Sequence, residues 1–176
     1  MRSLKYNLLA LVLLVASSFV SLAQSYNMDD INGTTVNVPT ASTVYFYDSG
    51  GPGSATNTYY TNDENYTATF RSVNGAPLLF TFTAFQTYDA NDYLEIYDGA
   101  STAAPLIGRY SGTNSPGTFT PSGEYITFRF VSNGSWRTTG WAATITSMDV
   151  SIPDITTCSA VSTDPQGGEN YNANQY

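Results

Sequence analysis

The chain has 176 residues, 14% of them aromatic and only 11% charged, and it contains no histidine. A chain of this length holds one domain with a substantial core and short appendages. The missing histidines exclude Ser-His-Asp and Cys-His catalysis and imidazole metal ligation.

Residues 1–23 are laid out as a secretory signal, with basic Arg2 and Lys5, an apolar stretch from Leu8 to Ala16, and Ser21-Leu22-Ala23 as a small-residue cleavage site. The apolar stretch is broken by Ser17 and Ser18 and is shorter than the about 20 residues a spanning helix needs. Without this segment Arg71, Arg109, Arg129 and Arg137 face the 14 acids, a net charge of −10. Such a chain repels phosphate backbones and anionic lipids, so neither nucleic acid nor membrane insertion is expected, and the predicted location is secreted or at the cell surface. Cys158 is the only cysteine, so stability must come from core packing or a bound ion, which favours a bacterial secreted protein.

Residues 24–43 read as a polar leader with a turn signal at Asn32-Gly33. Residues 44–147 then carry seven short apolar runs: Val44 to Tyr47, Tyr66 to Phe70, Leu78 to Phe85, Tyr93 to Tyr97, Leu106 to Tyr110, Tyr125 to Val131 and Trp141 to Ile145. Their spacing of roughly 10 to 15 residues predicts an all-β fold, an antiparallel β-sandwich, with no sustained helical period. Alternation is clearest at Ile126, Phe128 and Phe130 and at Leu78, Phe80 and Phe82. The predicted core is Phe80, Phe82, Phe85, Leu94, Ile96, Ile126, Phe128, Phe130 and Trp141. Residues 148–176 read as a linker followed either by a disordered polar tail or by the start of a second, truncated repeat. In the latter case Asp164-Pro165-Gln166-Gly167-Gly168 echoes Asp48-Ser49-Gly50-Gly51, 116 residues earlier.

Several short motifs occur in a fixed order along the body. They are Phe46-Tyr47-Asp48-Ser49-Gly50-Gly51-Pro52, Asn62-Asp63-Glu64-Asn65-Tyr66, the spaced Leu78, Phe80, Phe82 and Phe85, and Asp92-Tyr93-Leu94-Glu95-Ile96-Tyr97-Asp98-Gly99. After them come Ile107-Gly108, Ser111-Gly112, the spaced Ile126, Phe128 and Phe130, Ser132-Asn133-Gly134-Ser135, and Gly140-Trp141. From Tyr45 to Ile145 this pattern resembles a CUB domain of the bacterial, disulfide-free type, possible first module of a longer multi-module secreted protein. The resemblance implies a jelly-roll sandwich and a non-catalytic binding role. It also implies a calcium ion held by hard oxygens at one end of the sandwich. Asp92 matches the family's aspartate, while Asn133 stands where a second aspartate is expected and Tyr88 where an acid is expected. The implied metal set is therefore Asp92, Asn133, Asp89, Glu64 and Ser135, weakened by the two replacements.

Three functions follow. The first is a secreted recognition or adhesion module that binds a protein or glycan through the loops around Asp92 and Asn133, with calcium dependence. The second is a carbohydrate-binding module accessory to a downstream hydrolase or peptidase, with Trp136, Tyr59 and Tyr60 as ligand-binding aromatics; Trp136 leads because it sits in a turn rather than on a strand face. The third, a carboxylate-pair hydrolase drawing on Glu64, Asp92, Glu95 and Glu124, is disfavoured, and the chain is read as no enzyme. Expected partners are an extracellular protein or glycan and further modules of the same polypeptide.

Overall fold

The computed structural model describes residues 23–52 and 58–147. All but the last residue of the signal reading, residues 1–23, and the linker, tail and second-module readings of residues 148–176 lie outside the described residues. Among the described residues ten strands form and no helix: β1 (Gln24–Asn27), β2 (Thr34–Val38), β3 (Thr43–Tyr47), β4 (Asn65–Ser72), β5 (Leu78–Gln86), β6 (Tyr93–Tyr97), β7 (Leu106–Ser111), β8 (Thr118–Phe119), β9 (Tyr125–Val131) and β10 (Gly140–Ser147). They build two five-stranded sheets, ordered β1-β3-β10-β5-β8 and β2-β4-β9-β6-β7.

Alternation explains which side of each strand is buried. In β9, Ile126, Phe128 and Phe130 are fully buried, and in β6 Leu94 and Ile96 are; Phe70 of β4 lies beside them in the same sheet, and Phe46 and Phe80 face them from the other. Phe128 is the hub of the core, with ring centroids 5.1 Å from Phe46, 5.3 Å from Phe80, 5.9 Å from Phe70 and 6.4 Å from Phe82. Tilted and edge-on aromatic contacts of this kind add to the burial of area.

Three expectations change. Residues 24–43 are not a leader: β1 and β2 join one sheet each, and Met28, Ile31, Val36 and Val38 are buried in the core. Their polar residues alternate with few apolar ones because both strands lie at sheet edges. Both also pair in parallel, β1 with β3 and β2 with β4, so the sandwich is mixed rather than antiparallel throughout. Phe85 is only partly buried. The register between β10 and β5 slips at Ala142/Ala143, so Thr83 has no residue opposite it in the register, and its hydroxyl donates to the Ala142 carbonyl at 3.1 Å. This bulge flips the parity of the strand and brings Phe85, three residues after Phe82, back to the inner side beside Trp141 at the end of the sheet.

The outer faces differ in charge. Opposite its core side the β2-β4-β9-β6-β7 sheet carries Arg71, Arg129 and Arg109 with Glu95 and tyrosines. Arg129 lies 3.4 Å from Glu95, and the Arg109 guanidinium lies 3.2 Å over the Tyr93 ring. The outer face of the other sheet carries Thr43, Tyr45, Thr81, Thr118, Thr144 and Thr146 in register. Truncation of the core hub, Phe128→Ala, is expected to destabilise the fold by about 3–5 kcal/mol, read from urea unfolding.

Candidate functional site

The strand directions gather the turn after β1 and the β3–β4, β5–β6 and β9–β10 loops at one end of the sandwich. Strand alternation, carried one step past a strand, puts an acid on the core side at this end twice. Val44, Phe46 and Asp48 share one face, as do Asp92, Leu94 and Ile96, and both aspartates are fully buried.

Asp92 ties three loops together. Its Oδ2 accepts the Tyr60 hydroxyl at 2.5 Å and its Oδ1 accepts the Asn133 N–H at 2.8 Å. The Tyr60 oxygen in turn accepts the Tyr88 N–H at 2.9 Å. Burial first, and the carboxylate it donates to second, push the Tyr60 phenol above its usual value. Thr87 fixes the far side, its hydroxyl donating to the Asp92 carbonyl at 2.6 Å and accepting the Gly112 N–H at 2.8 Å.

Asp48 is the second buried acid. It accepts the Trp141 N–H at 2.7 Å and the Gly50 N–H at 2.8 Å, which clamps the start of the β3–β4 loop onto β10. Gly140, with φ of +65°, leaves room for this carboxylate; a Cβ there would lie 2.0 Å from Asp48 Oδ2. Glu64 sits nearby. Its Oε1 accepts the Thr61 N–H at 2.7 Å and the Ser49 and Thr61 hydroxyls, while its buried Oε2 has no hydrogen-bond partner among the described residues. Burial, opposed by the N–H donors of Trp141 and Gly50 and reinforced by the charge of Glu64, pushes Asp48 up to about 7.

The aromatic candidates separate. Trp136 is 73% exposed and Tyr59 50%, and both line a cavity of about 430 Å³ with Asn62, Gly134, Ser135 and Arg137. Tyr60 is fully buried and cannot meet a ligand. Adjacent residues of an extended chain point to opposite sides, so only one of Tyr59 and Tyr60 can face outward. Tyr88, in the position expected to be acidic, stacks on Trp136 with centroids 6.2 Å apart and planes 23° apart. That neighbour lies 48 residues away in sequence, where no local pattern reveals it.

The five residues implied for a metal do not come together as one donor set. Asp92 and Asn133 touch, but the Asn133 side-chain oxygen accepts the Ser135 N–H at 2.7 Å, Asp89 accepts from Asn91, and Glu64 turns to Ser49 and Thr61. No group of three or more acids, cysteines or histidines able to hold a metal occurs among the described residues. Calcium takes 6–8 oxygen ligands, several of them carboxylates, and the Tyr60 hydroxyl and Asn133 N–H already cap Asp92. The residues present do not fit the ion.

Two consequences are measurable. Tyr60→Phe removes the donor to Asp92 and the acceptor for Tyr88 and is expected to lose about 1–3 kcal/mol in urea unfolding. For Asp48 the folded value lies above the ordinary 3.8, so the folded chain holds this proton more tightly than the unfolded chain. The associated stability is fully present below about pH 4 and is lost as pH rises through about 7. With no histidine to titrate in that window, Tm is expected to fall from pH 5 to pH 8, with a shallower slope in Asp48→Asn.

Comparison with known proteins agrees with this architecture. The family model described as CUB domain matches residues 51–145. Pig cubilin is 32% identical over 108 residues, 57% of this chain and 3% of its own, and human cubilin 40% over 73 residues, 39% and 2%. Mouse tolloid-like protein 2 is 31% identical over 88 residues, 48% of this chain and 9% of its own. The chain thus spans less than a tenth of the curated relatives it matches. Among solved structures, the MASP-1 CUB2 domain bound to Ca2+ superposes with a TM-score of 0.53 at 20% identity, covering 66% of this chain and 99% of that one. The full extracellular region of zebrafish Gpr126/Adgrg6 does so with a TM-score of 0.50 at 18% identity, covering 64% and 15%. With that family model matched over residues 51–145, more than half of its length, this chain belongs to the CUB domain family.

Proposed function

We propose that this chain is an extracellular, non-catalytic recognition module that binds a basic segment of a partner protein through the loop end of its sandwich. CUB domains generally mediate protein–protein recognition. One observation carries the reading here. Asp29, Asp30, Asp48, Asp63, Glu64, Asp89 and Asp92, seven of the ten acids in the described residues, lie at that end, and Arg137 is its only cation. Asp48, Glu64 and Asp92 are buried and build the scaffold; Asp29, Asp30, Asp63 and Asp89 reach the surface. A field of one sign concentrated at one end steers a basic partner and orients it.

The extracellular reading draws support from the signal-like residues 1–23 and from the extracellular region among the matched structures. The non-catalytic reading rests on the absence of histidine and on the engagement of the buried Asp48 and Asp92 carboxylates with N–H and O–H donors. Calcium is left out of the proposal because the donor set does not fit it.

The test is fluorescence polarisation with a labelled dodecapeptide bearing lysine at every third position, against the same peptide with glutamate. The lysine peptide is expected to bind and the glutamate peptide not. Affinity is expected to drop between about 50 and 200 mM salt as exposed charges are screened. The Asp63→Asn/Asp89→Asn double variant is expected to lose about tenfold, the size of an interaction worth about 1.4 kcal/mol. Calcium and a chelator are expected to give equal affinities and equal Tm. Equal binding of the two peptides overturns the reading.

A further inference from the structure

Trp136 is the most exposed of the large apolar side chains, at 73%, and it takes no part in the core. Its loop is nevertheless held firmly. Asn62 Nδ2 donates to the Gly134 carbonyl at 3.0 Å, the Asp63 N–H donates to the Asn133 carbonyl at 3.1 Å, and Asn133 is anchored below by Asp92. Tyr88 backs the indole, so the ring is a supported platform rather than a loose side chain. An aromatic surface displayed to solvent on a braced loop, and not used by the fold, is a binding surface already organised.

The groups around the cavity define what fits. The indole and the Tyr59 ring offer apolar faces, while Asn62, Ser135 and Arg137 offer an amide, a hydroxyl and a guanidinium at the rim. The cavity has no closed apolar pocket for an aliphatic or aromatic anchor of a peptide. Its volume of about 430 Å³ lies in the lower part of the roughly 300–1,000 Å³ range of small-ligand sites. A ligand with a flat C–H face and a rim of hydroxyls matches both surfaces, which is the shape of a pyranose ring. Charge narrows the class further. Arg137 makes no ion pair among the described residues and supplies five N–H donors, but Asp63 borders Gly134 in the cavity floor and Asp89 lies in the next loop. A polyanionic glycan is repelled there; a neutral one is not.

We propose that Trp136, Tyr59 and Arg137 form a subsite for a neutral hexopyranose, with the sugar ring on the indole face and its hydroxyls on Arg137, Asn62 and Ser135. The site stands apart from the basic-peptide reading, since it uses the aromatic platform and not the surface carboxylates. It replaces the buried Tyr60 of the sequence-based set with Tyr88, which acts as a positioning residue behind the indole.

The chain has two tryptophans, and Trp141 is 1% exposed, so a change in tryptophan emission on adding a sugar reports Trp136. The full chain is titrated with cellohexaose, mannohexaose, galactohexaose and, as the anionic counterpart, oligogalacturonate, with fluorescence and calorimetry as readouts. At least one neutral oligosaccharide is expected to shift and quench the emission and to release heat, and oligogalacturonate is expected to do neither. By calorimetry, Trp136→Ala is expected to weaken that binding about 30-fold or more, as for the dominant residue of a small site, and Arg137→Met about tenfold, both with unchanged Tm. Trp136→Phe is expected to recover part of the affinity. Three results overturn the proposal: no neutral probe binds, oligogalacturonate binds better than the neutral sugars, or Trp136→Ala leaves sugar binding intact. A fourth also does so: Trp136→Ala abolishes lysine-peptide binding while no sugar binds, which makes the ring a protein contact. Failure of the lysine peptide with intact sugar binding sinks the peptide reading alone.

Discussion

A carboxylate with no exposure to solvent must find donors inside the protein, because an unpaired charge in the interior costs several kcal/mol. Asp92 meets this demand with one side-chain hydroxyl and one backbone amide from two different loops, and the geometry of the loop end follows from it. Tyr60 must be buried for its hydroxyl to arrive, so the chain before β4 is drawn across the end of the core, where its ring packs edge-on to Phe130 at 5.1 Å. Asn133 must present its N–H, which sets where the Ser135–Trp136–Arg137 segment leaves β9. Asp48 does the same for β10 through Trp141, whose indole then packs on Phe46 and Phe130. In a chain with one cysteine, these two acids cross-link loops by hydrogen bonds.

The legible part of the fold was the part carried by period two. β5 and β9 declare themselves because Phe80, Phe82, Ile126, Phe128 and Phe130 alternate with polar residues over a full strand. β1 and β2 do not, since an edge strand is wetted on more sides and buries less: Val36 and Val38 alternate with Thr35 and Asn37, but only over five residues. Parallel pairing left no trace at all, because it is decided by which strands are neighbours. The bulge at Thr83 explains why Phe82 and Phe85 share a face at a spacing that period two forbids.

The site was legible to a smaller extent. Asp92 and Asn133 were found through the order of the motifs, and they do meet. Asp48 continues the alternation of Val44 and Phe46, yet it opens the glycine-rich run Asp48-Ser49-Gly50-Gly51, where an aspartate is ordinarily a turn residue. Tyr59 and Tyr60 look equivalent in sequence, and what separates them is a contact with an aspartate 32 residues further on. Trp136 was recognisable from its place in a turn, whereas its support by Tyr88 was not, since stacking between two loops is set by the sheets that bring them together.

The position of β10 has a consequence for how the chain reaches this state. It is the last strand described, yet it lies between β3 and β5 in the middle of its sheet, and the Thr43 and Thr146 hydroxyls that meet at 3.2 Å are 103 residues apart. Pairing over such separations closes large loops before any contact rewards them, so assembly is slow compared with a meander of the same size. Until Gly140 to Ser147 emerge, β3 and β5 present two facing open edges and the Asp48 carboxylate lacks one of its donors. A sandwich delivered amino end first therefore waits, with nine of its ten described strands made and still open in structure, for the eight residues of β10 to insert.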